Sequence, residues 1–430
     1  MVTVEQAIGP LPSPVAVAAR LRVAGVQGLV FLDSAGNAYH PTPLSMIAAN
    51  PEAMISGSLR SDSDVVRLRA AIEGMQSAKP SGDLGLPMGG LFGGVDFDGT
   101  FCFGKYSKLL VFDHARKRWF DIGGFLKEHS TALDFAEDKP TLSPSLHFTP
   151  VSERSWYEDS VRRAQEYIAA GDIYQVNIAH AFESAWPADA DAFPFYQVLR
   201  RHSPAPYSAF LDIEGRQVMS ASPESFLKIS GNCIRTCPIK GTRPRFRDEE
   251  RDEKSAYDLL TSPKEVSELI MITDLERNDL GQICDFGTVR VSELLKIERF
   301  EQVFHLVSTV NGQLRPDVDH VTALRACFPG GSITGAPKKR ATEIIAELEQ
   351  LPRGLYTGAI GYLGANGESQ FNIAIRTAIA EGDHVSFHVG AGIVADSDPA
   401  FEYEETLHKA AGILQAAKSI RSIASTRQDR

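Results

Sequence analysis

The chain has 430 residues, of which 43% are hydrophobic and 23% are charged, and this composition is typical of a soluble globular enzyme. The length allows one large domain or two medium ones. The formal net charge is −11, and no cluster of lysine and arginine with interleaved aromatic residues is present, which argues against nucleic acid as a partner.

The sequence also predicts the compartment. No apolar run approaches the roughly 20 residues that a membrane-spanning helix needs. The N-terminus lacks the charged-then-apolar pattern of a signal peptide. The five cysteines are scattered, which favours reduced thiols. We therefore expect a cytoplasmic protein with no membrane segment.

Residues 1–150 carry the weaker pattern and are predicted to form an N-terminal region that supplies part of the sheet structure. Apolar runs over residues 28–33 and 108–113 predict strands. Residues 88–94 are so rich in glycine that we expect no regular element there. Polar, proline-containing residues 134–150 predict a linker.

Residues 151–425 are predicted to form the catalytic region, with sharper signals. A helix is expected over 157–170, and another begins at Pro263 with a capping box and runs to about residue 278. Further helices are expected from Pro337 to about residue 350 and over 399–423. Strands are expected over 218–222, 225–230, 233–239, around 290 and 306, and over 357–363, 369–378 and 384–390. Antiparallel runs mixed with long helices predict an α+β fold, a large mixed or antiparallel β-sandwich with surrounding helices.

Lys240 is the first candidate for chemistry. It follows a predicted strand and precedes a Gly-Thr turn, and Glu224 lies on the neighbouring arm of the same hairpin. An amine close to a carboxyl group is a pairing used in nucleophilic and acid catalysis. A lysine at a strand end is also commonly solvated, so the local pattern alone leaves both interpretations open.

Four carboxylates stand out by their spacing. Glu265 and Glu268 share one face of a predicted helix, and Glu402 and Glu405 share a face of the last helix, with Lys409 one turn further on. Two such pairs, brought together by folding, would suit a hard dication such as Mg²⁺. Each pair alone also fits a solvated helix surface.

A second group of residues is suited to anions. Arg376 ends a predicted strand in apolar surroundings, where its guanidinium would offer a fork for a carboxylate. Gly390-Ala391-Gly392 would let backbone N–H groups approach an anion. A structural salt bridge of Arg376 is an equal alternative, and His305 could be either catalytic or a core histidine.

The glycine-rich segment 328–338 does not fit a nucleotide-binding loop, because the required Gly-Lys-Ser/Thr is missing and Pro337 removes a backbone donor. An anion-binding or shape-defining loop fits it better.

The ordered motifs resemble the chorismate-utilising enzymes, and within them the component I chains of aminodeoxychorismate synthases. They run in family order across residues 155–420. The matching stretches are 171–177, 222–224, 238–242, 274–279, 305–309, 328–337, 375–377, 392–399 and 402–406.

The resemblance implies a substrate, chorismate, and a cofactor, Mg²⁺. The metal would hold the ring carboxylate through Glu268 and Glu405, with Glu265 and Glu402 close behind. The enolpyruvyl carboxylate would lie on Tyr356 and Arg376. Other residues implied to line the substrate site are Gln175, Thr242, Gly390, Ala391, Gly392 and Lys409, and His305 is implied as a catalytic residue.

The resemblance also implies the product. Anthranilate synthases usually carry alanine where this chain has Lys240, whereas aminodeoxychorismate synthases carry lysine. In the family mechanism the amine attacks C2 of chorismate while the C4 hydroxyl leaves with help from an acid matching Glu224. Ammonia then attacks C4 and gives 4-amino-4-deoxychorismate, a precursor of 4-aminobenzoate and folate.

No cysteine lies in the glycine-rich elbow of a glutamine amidotransferase, so a separate amidotransferase subunit is expected to supply ammonia. The alternatives are anthranilate, isochorismate or salicylate synthesis, against which Lys240 and Asn177 argue. A non-catalytic subunit that binds chorismate or an amino acid is a more remote alternative.

Overall fold

The computed structural model describes residues 4–6, 11–34, 43–75, 85–134, 144, 146–187, 189–300 and 303–428. Most of the predicted linker, including residues 135–143, lies outside the described residues. None of the helices in these ranges is long and apolar enough to cross a membrane.

The described helices are numbered in chain order. They are α1 Pro14–Val23, α2 Asp62–Glu73, α3 Phe125–Glu128, α4 Ser130–Asp134, α5 Arg154–Ala169, α6 Phe193–His202, α7 Glu249–Leu260, α8 Pro263–Gly281, α9 His320–Cys327, α10 Lys338–Leu348 and α11 Pro399–Gln428.

The described strands are numbered in the same way. They are β1 Val4–Gln6, β2 Val30–Asp33, β3 Leu44–Ala48, β4 Ala53–Ser58, β5 Gly90–Val95, β6 Thr100–Tyr106, β7 Leu109–Asp113, β8 Arg118–Ile122, β9 Thr149–Pro150, β10 Gln175–Ala185, β11 Tyr207–Ile213, β12 Arg216–Ser222, β13 Ser225–Ser230, β14 Cys233–Cys237, β15 Ile239–Pro244, β16 Arg290–Arg299, β17 Val303–Gln313, β18 Gly335–Ala336, β19 Ala359–Gly364, β20 Glu368–Ile373, β21 Thr377–Glu381 and β22 His384–Ile393.

These strands form two antiparallel sheets within the described ranges. The first sheet has the order β1-β8-β7-β3-β2-β11-β12-β21-β22-β10-β18, with β9 beside β10. The second sheet has the order β15-β17-β14-β13-β20-β19-β5-β6-β4, with β16 beside β17. The predicted α+β class is therefore confirmed. The boundary at residue 150 stays a prediction, because each sheet contains strands from both predicted regions.

Side chains of successive residues in β2 point to opposite faces of the first sheet, and their contacts show what covers each face. Val30 packs in a core that both sheets share, with Phe92 of β5 and Ile360 of β19. The next residue, Phe31, faces the opposite side and packs against helices α1, α6 and α11. The first sheet is thus covered by the second sheet on one face and by helices on the other.

Two predictions about regular structure are wrong. Residues 88–94 contain strand β5, because its glycines allow a close approach of the neighbouring strands; a Cβ on Gly93 would lie 2.0 Å from the Cys102 carbonyl oxygen. The single strand predicted over 369–378 is split into β20 and β21, which belong to different sheets. Helix α8 begins at Pro263 as predicted, but the Ser262 side chain makes no capping hydrogen bond.

Candidate active site

Two connections that carry the chain from one sheet to the other lie side by side. Pro223 and Glu224 lead from β12 to β13, and residues 374–376 lead from β20 to β21. The Ile373 N–H donates to the Glu224 carbonyl oxygen at 3.1 Å, and the Ala221 N–H donates to the Arg376 carbonyl oxygen at 3.0 Å. These bonds hold Glu224 and Arg376 at the boundary between the sheets.

The Glu224 carboxyl group is suited to carry a proton. Its residue is only 6% exposed. Burial raises the pKa of Glu224, and this effect outweighs the opposing influence of the nearby Ser332 hydroxyl, Lys240 and the Ile239 N–H, which favour the charged form. The direction of this shift is the one expected for a general acid.

Lys240 projects into the space between the sheets from a bulge in β15. The pairing of β15 with β17 shifts between Lys240 and Thr242, and Gly241 between them has φ +72°. The Lys240 Nζ atom lies 3.8 Å from a Glu268 carboxylate oxygen. A Cβ on Gly392, in the first sheet, would lie 3.5 Å from the same Nζ atom. The amine therefore faces glycine backbone across the gap.

Buried amide groups without partners surround this gap. Gln175 is fully buried, and neither of its side-chain amide atoms has a hydrogen-bond partner among the described residues. Its Nε2 atom would lie 2.5 Å from a Cβ on Gly392, and the unpartnered Asn177 Oδ1 atom would lie 2.7 Å from a Cβ on Gly390. Because an unpaired buried polar atom costs free energy, these atoms are ready to bind a polar ligand.

Helices α8 and α11 bring the predicted carboxylates next to lysines. Lys264 lies 3.3 Å from Glu402, and Lys409 lies 2.7 Å from Glu405. Lys409 also donates to the Gly390 carbonyl oxygen at 2.9 Å. One oxygen of Glu268 and one of Glu402 are buried and have no hydrogen-bond partner in the described part of the chain.

The ionisation of these groups reflects their mutual influence. Burial raises the pKa of Glu268 despite the attraction of Lys240 and Lys264. Burial would also raise the pKa of Glu405, but Lys409, Lys264 and Lys240 together hold it below its usual range. One end of the gap therefore combines carboxylates and ammonium groups within electrostatic reach of one another.

The donor set fits a hard dication. Across the described ranges, no three carboxylate, imidazole or thiol groups converge closely enough to form a ready-made metal cage. The open oxygens of Glu268 and Glu402, with Glu405 nearby, are nevertheless all-oxygen donors of the type Mg²⁺ takes. Glu265 lies at the bulge, with Oε2 2.9 Å from a Cβ on Gly241.

Arg376 has the features of an anion site. Its backbone lies in the left-handed region at φ +51°, which is uncommon for a residue other than glycine and is often found at functional sites. Burial lowers the pKa of its guanidinium. No acidic side chain of the described residues forms an ion pair with it, so the predicted structural salt bridge is not observed there.

His305 is buried and bonded. Its Nδ1 atom lies 3.0 Å from the Thr242 hydroxyl oxygen. Burial and the nearby Arg376 lower the pKa of His305 to about 4, so the ring is neutral at physiological pH. The geometry fits a core histidine as well as a neutral catalytic one, and the catalytic role stays a prediction.

The side chains of two other predicted site residues, Ala391 and Tyr356, pack against core or aromatic neighbours. The Ala391 side chain points into the hydrophobic core, because it alternates with Gly390 and Gly392 along β22, so only its backbone can face a ligand. The Tyr356 ring stacks on His388, with centroids 5.4 Å apart, and lies 5.8 Å from the Arg353 guanidinium.

The sequence prediction missed Lys264 and Ser332. Lys264 lies next to Glu265 in sequence but was not singled out from other surface lysines. Ser332 lies in the glycine-rich segment that was recognised only as a shape-defining or anion-binding loop. The influence of Ser332 on the pKa of Glu224 depends on how the loop folds, which the sequence pattern does not specify.

Comparisons with known proteins identify the family of the chain. A family model described as chorismate binding enzyme matches residues 41–415. The chain is 46% identical over 336 residues to anthranilate synthase component 1 of Streptomyces coelicolor, covering 72% of this chain and 65% of that protein. It is 42% identical over 285 residues to aminodeoxychorismate synthase component 1 of Bacillus subtilis, covering 66% and 60%.

Solved structures share the fold. Anthranilate synthase component I from Streptococcus pneumoniae TIGR4 superposes with a TM-score of 0.77 at 30% identity, covering 87% of this chain and 92% of that one. The Escherichia coli menaquinone-specific isochorismate synthase MenF also gives 0.77, at 19% identity, over 97% of this chain and 95% of that one. The chain belongs to the chorismate-binding enzyme family. It spans less than two thirds of the length of the curated relatives named above.

Proposed function

We propose that the protein aminates chorismate at C4 to give 4-amino-4-deoxychorismate, with Mg²⁺ as cofactor. The observation that carries this proposal is the Lys240 amine in the gap between the sheets, facing Gly392 and within electrostatic reach of the acid Glu224. A lysine that only stabilised the fold would not need a glycine opposite it and unpaired amide groups beside it.

Different residues of the site would bind the metal and different parts of the substrate. Arg376, which has no acidic partner among the described residues, would bind one substrate carboxylate. The open oxygens of Glu268 and Glu402, with Glu405, would hold Mg²⁺, which when bound offsets the charge of a substrate carboxylate in this acidic protein. Unpaired amide atoms of Gln175 and Asn177 would orient the ring.

The chemistry follows from the positions of Lys240 and Glu224. The Lys240 nitrogen forms a bond to C2, the ring double bonds shift, and the C4–oxygen bond breaks as Glu224 gives its proton to the leaving hydroxyl, which departs as water. Ammonia then forms a bond to C4, the double bonds shift back, and the C2–nitrogen bond breaks to release the lysine amine. The pyruvyl group stays on the ring, so a separate lyase would complete 4-aminobenzoate for folate synthesis.

Ammonia would come from a separate glutamine amidotransferase subunit, and the reaction would take place in the cytoplasm. This part of the proposal rests on the component I names of the relatives and on the absence of an amidotransferase nucleophile motif from this sequence.

A second candidate function is anthranilate synthesis, because several of the similar relatives carry the name anthranilate synthase component 1. Both reactions start from chorismate and ammonia and differ in the carbon that receives nitrogen. Lys240 favours C4.

The test is product identification. The protein is mixed with chorismate, Mg²⁺ and an ammonium salt, and the products are separated before and after addition of aminodeoxychorismate lyase. We expect 4-aminobenzoate only after the lyase is added. Fluorescent anthranilate formed without the lyase would contradict the proposal.

The Lys240→Ala variant sharpens this test. It should lose the C4 product, because the group that occupies C2 is gone. Lys254→Ala, which changes an exposed lysine on α7, is the matched control and should keep the wild-type product.

A further inference from the structure

Behind the candidate site, a buried carboxylate supports the turn that contacts the acid. Residues Gly331–Ile333 form a single turn of 3-10 helix at the start of the glycine-rich loop. The Ser332 hydroxyl of this turn lies close enough to the Glu224 carboxyl group to favour its charged form. The position of Ser332 therefore affects the ionisation of Glu224.

Glu276 on α8 holds this turn from its outer side. The Gly331 N–H donates to one Glu276 carboxylate oxygen at 3.0 Å, and the Thr236 hydroxyl of β14 donates to the other at 3.3 Å. Glu276 is only 3% exposed. A carboxylate rarely lies this deep without a specific role, because burial of its charge is costly.

The turn packs directly on α8. A Cβ on Gly331 would lie 2.6 Å from a Leu275 methyl carbon and 3.0 Å from the Glu276 Oε1 atom. Two other groups restrain the same turn: the Thr334 hydroxyl donates to the Gly330 carbonyl oxygen at 2.9 Å, and Arg353 donates to the Ile333 carbonyl oxygen at 3.1 Å. Among the residues that the structure describes, Glu276 is the one that hydrogen-bonds both the turn and the strand that leads to Lys240.

We propose that Glu276 is a positioning residue for the acid Glu224, acting through Gly331 and Ser332. The inference rests on the proposed function to the extent that Glu224 is the acid, and it names a part of the machinery that touches no substrate. Glu276 fixes the distance between the turn and β14, and the turn in turn directs the Glu224 proton towards the gap between the sheets.

The surroundings of Glu276 agree with this role. Burial, together with repulsion from Asp279, raises the pKa of Glu276 to about 7 despite the attraction of Lys338. A glutamine can replace the protonated carboxyl group, because its carbonyl can still accept from Gly331 and its amide can donate to Thr236. Alanine can make neither hydrogen bond. Comparison of the two substitutions therefore separates the support that Glu276 gives to the turn from the effect of the Glu276 charge.

The experiment compares steady-state rates of chorismate consumption in Glu276→Ala and Glu276→Gln. We expect Glu276→Ala to lower kcat by roughly 10-fold or more, since a displaced general acid loses part of a contribution of about 10²–10⁴-fold. KM should change less than threefold in both variants, because Glu276 binds no substrate. Glu276→Gln should stay within about threefold of the wild-type kcat.

A double-mutant cycle distinguishes positioning from general damage. If Glu276 acts through Glu224, then Glu276→Ala should cost little in a Glu224→Gln background. Equal losses in both backgrounds would overturn the inference, as would a Glu276→Ala variant with wild-type kcat.

Two further variants complete the test. Gly331→Ala pushes the turn away from α8 and should reproduce the kcat loss, so the inference can be judged even if Glu276→Ala does not fold. Asp274→Ala, on the same helix with a side chain that is 74% exposed, should leave activity unchanged. A wild-type protein that does not turn over chorismate would contradict the proposed function instead, so the two failures are distinguishable.

Discussion

Two buried clusters in this protein combine a lysine with carboxylates, and they differ in how completely their polar atoms are paired. In the first, the Lys240 Nζ atom lies 3.8 Å from Glu268, whose other oxygen has no partner among the described residues. In the second, Lys338 forms a short ion pair with Asp279 and donates to the Cys327 carbonyl oxygen at 2.9 Å. We call them the Lys240 cluster (Lys240, Glu268, Gln175) and the Lys338 cluster (Lys338, Asp279 and the Cys327 carbonyl group).

The difference indicates where a ligand is expected. Folding alone accounts for the Lys338 cluster, because its charges are met by one another and by the backbone. The Lys240 cluster keeps buried polar atoms unpaired, which costs free energy unless a substrate or metal completes the set. Substitutions in the first cluster should therefore change activity, and substitutions in the second should change stability.

The largest expected effect on activity is that of Glu224→Gln. Removal of the proton donor should lower kcat by about 10²–10⁴-fold with little change in the midpoint of thermal unfolding. Steady-state kinetics and circular dichroism measure the two quantities. Glu253→Gln, at an exposed position on α7, is the control. An equal loss of kcat in both variants would contradict the assignment of Glu224 as the proton donor.

In the Lys338 cluster, Lys338→Met should mainly reduce stability. Breaking a buried pair leaves Asp279 charged and unpaired, at a cost of about 3 kcal/mol or more in the free energy of unfolding. The pKa of Asp279 is already raised by burial. A raised pKa in the folded state means that stability is lost as pH rises, so the variant should be weakened more at pH 8 than at pH 5.

Denaturant unfolding of the Lys338→Met variant at those two pH values provides the measurement. A loss that is larger at the lower pH would contradict the assignment of this cluster as a buried charge pair.

A smaller effect is expected for Arg376→Gln. Losing a charge-assisted contact with a carboxylate costs about 1.5–3 kcal/mol, which corresponds to roughly 10- to 100-fold in kcat/KM. The loss should appear mainly as a higher KM for chorismate. Stability should rise or stay constant, because the guanidinium is buried with no acidic partner in the described part of the chain. A marked loss of stability would instead support a structural role.

The smallest effect is expected for Gly392→Ala, which places a methyl group 2.5 Å from the Gln175 amide nitrogen and 3.5 Å from Lys240 Nζ. The amide end of Gln175 can shift, so we expect a loss of activity of only a few-fold to roughly 10-fold. Gly281→Ala, where nothing lies within 4 Å of the added carbon, is the matched control and should leave activity unchanged.

Parts of this site could be predicted from the sequence because they depend on local patterns. The hairpin over 225–237, the start of α8 and the same-face placement of Glu265 and Glu268 follow from turn residues, proline position and helical spacing. Local patterns also made Lys240, Glu224 and Arg376 candidates, and the family resemblance implied their roles.

The rest depends on contacts between distant segments. The pattern of residues 369–378 gives no sign that Arg376 adopts φ +51° and that the chain changes sheets there. Strand β5 was missed because glycine disfavours strands locally, whereas here close contact with neighbouring backbone requires it. The support of Ser332 by Glu276 joins residues far apart in sequence and could be found only in the folded chain.

The central claim is that Lys240 forms a covalent bond to the substrate ring, and intact-mass spectrometry tests it most directly. Protein that is active with ammonium is incubated with chorismate and Mg²⁺ in the absence of ammonia. The reaction is then quenched and the intact mass of the protein is measured. The account predicts a mass increase equal to chorismate less one water on the wild-type chain, mapped to Lys240 by peptide analysis and absent from Lys240→Ala. An unmodified mass for protein proven active with ammonium would contradict it.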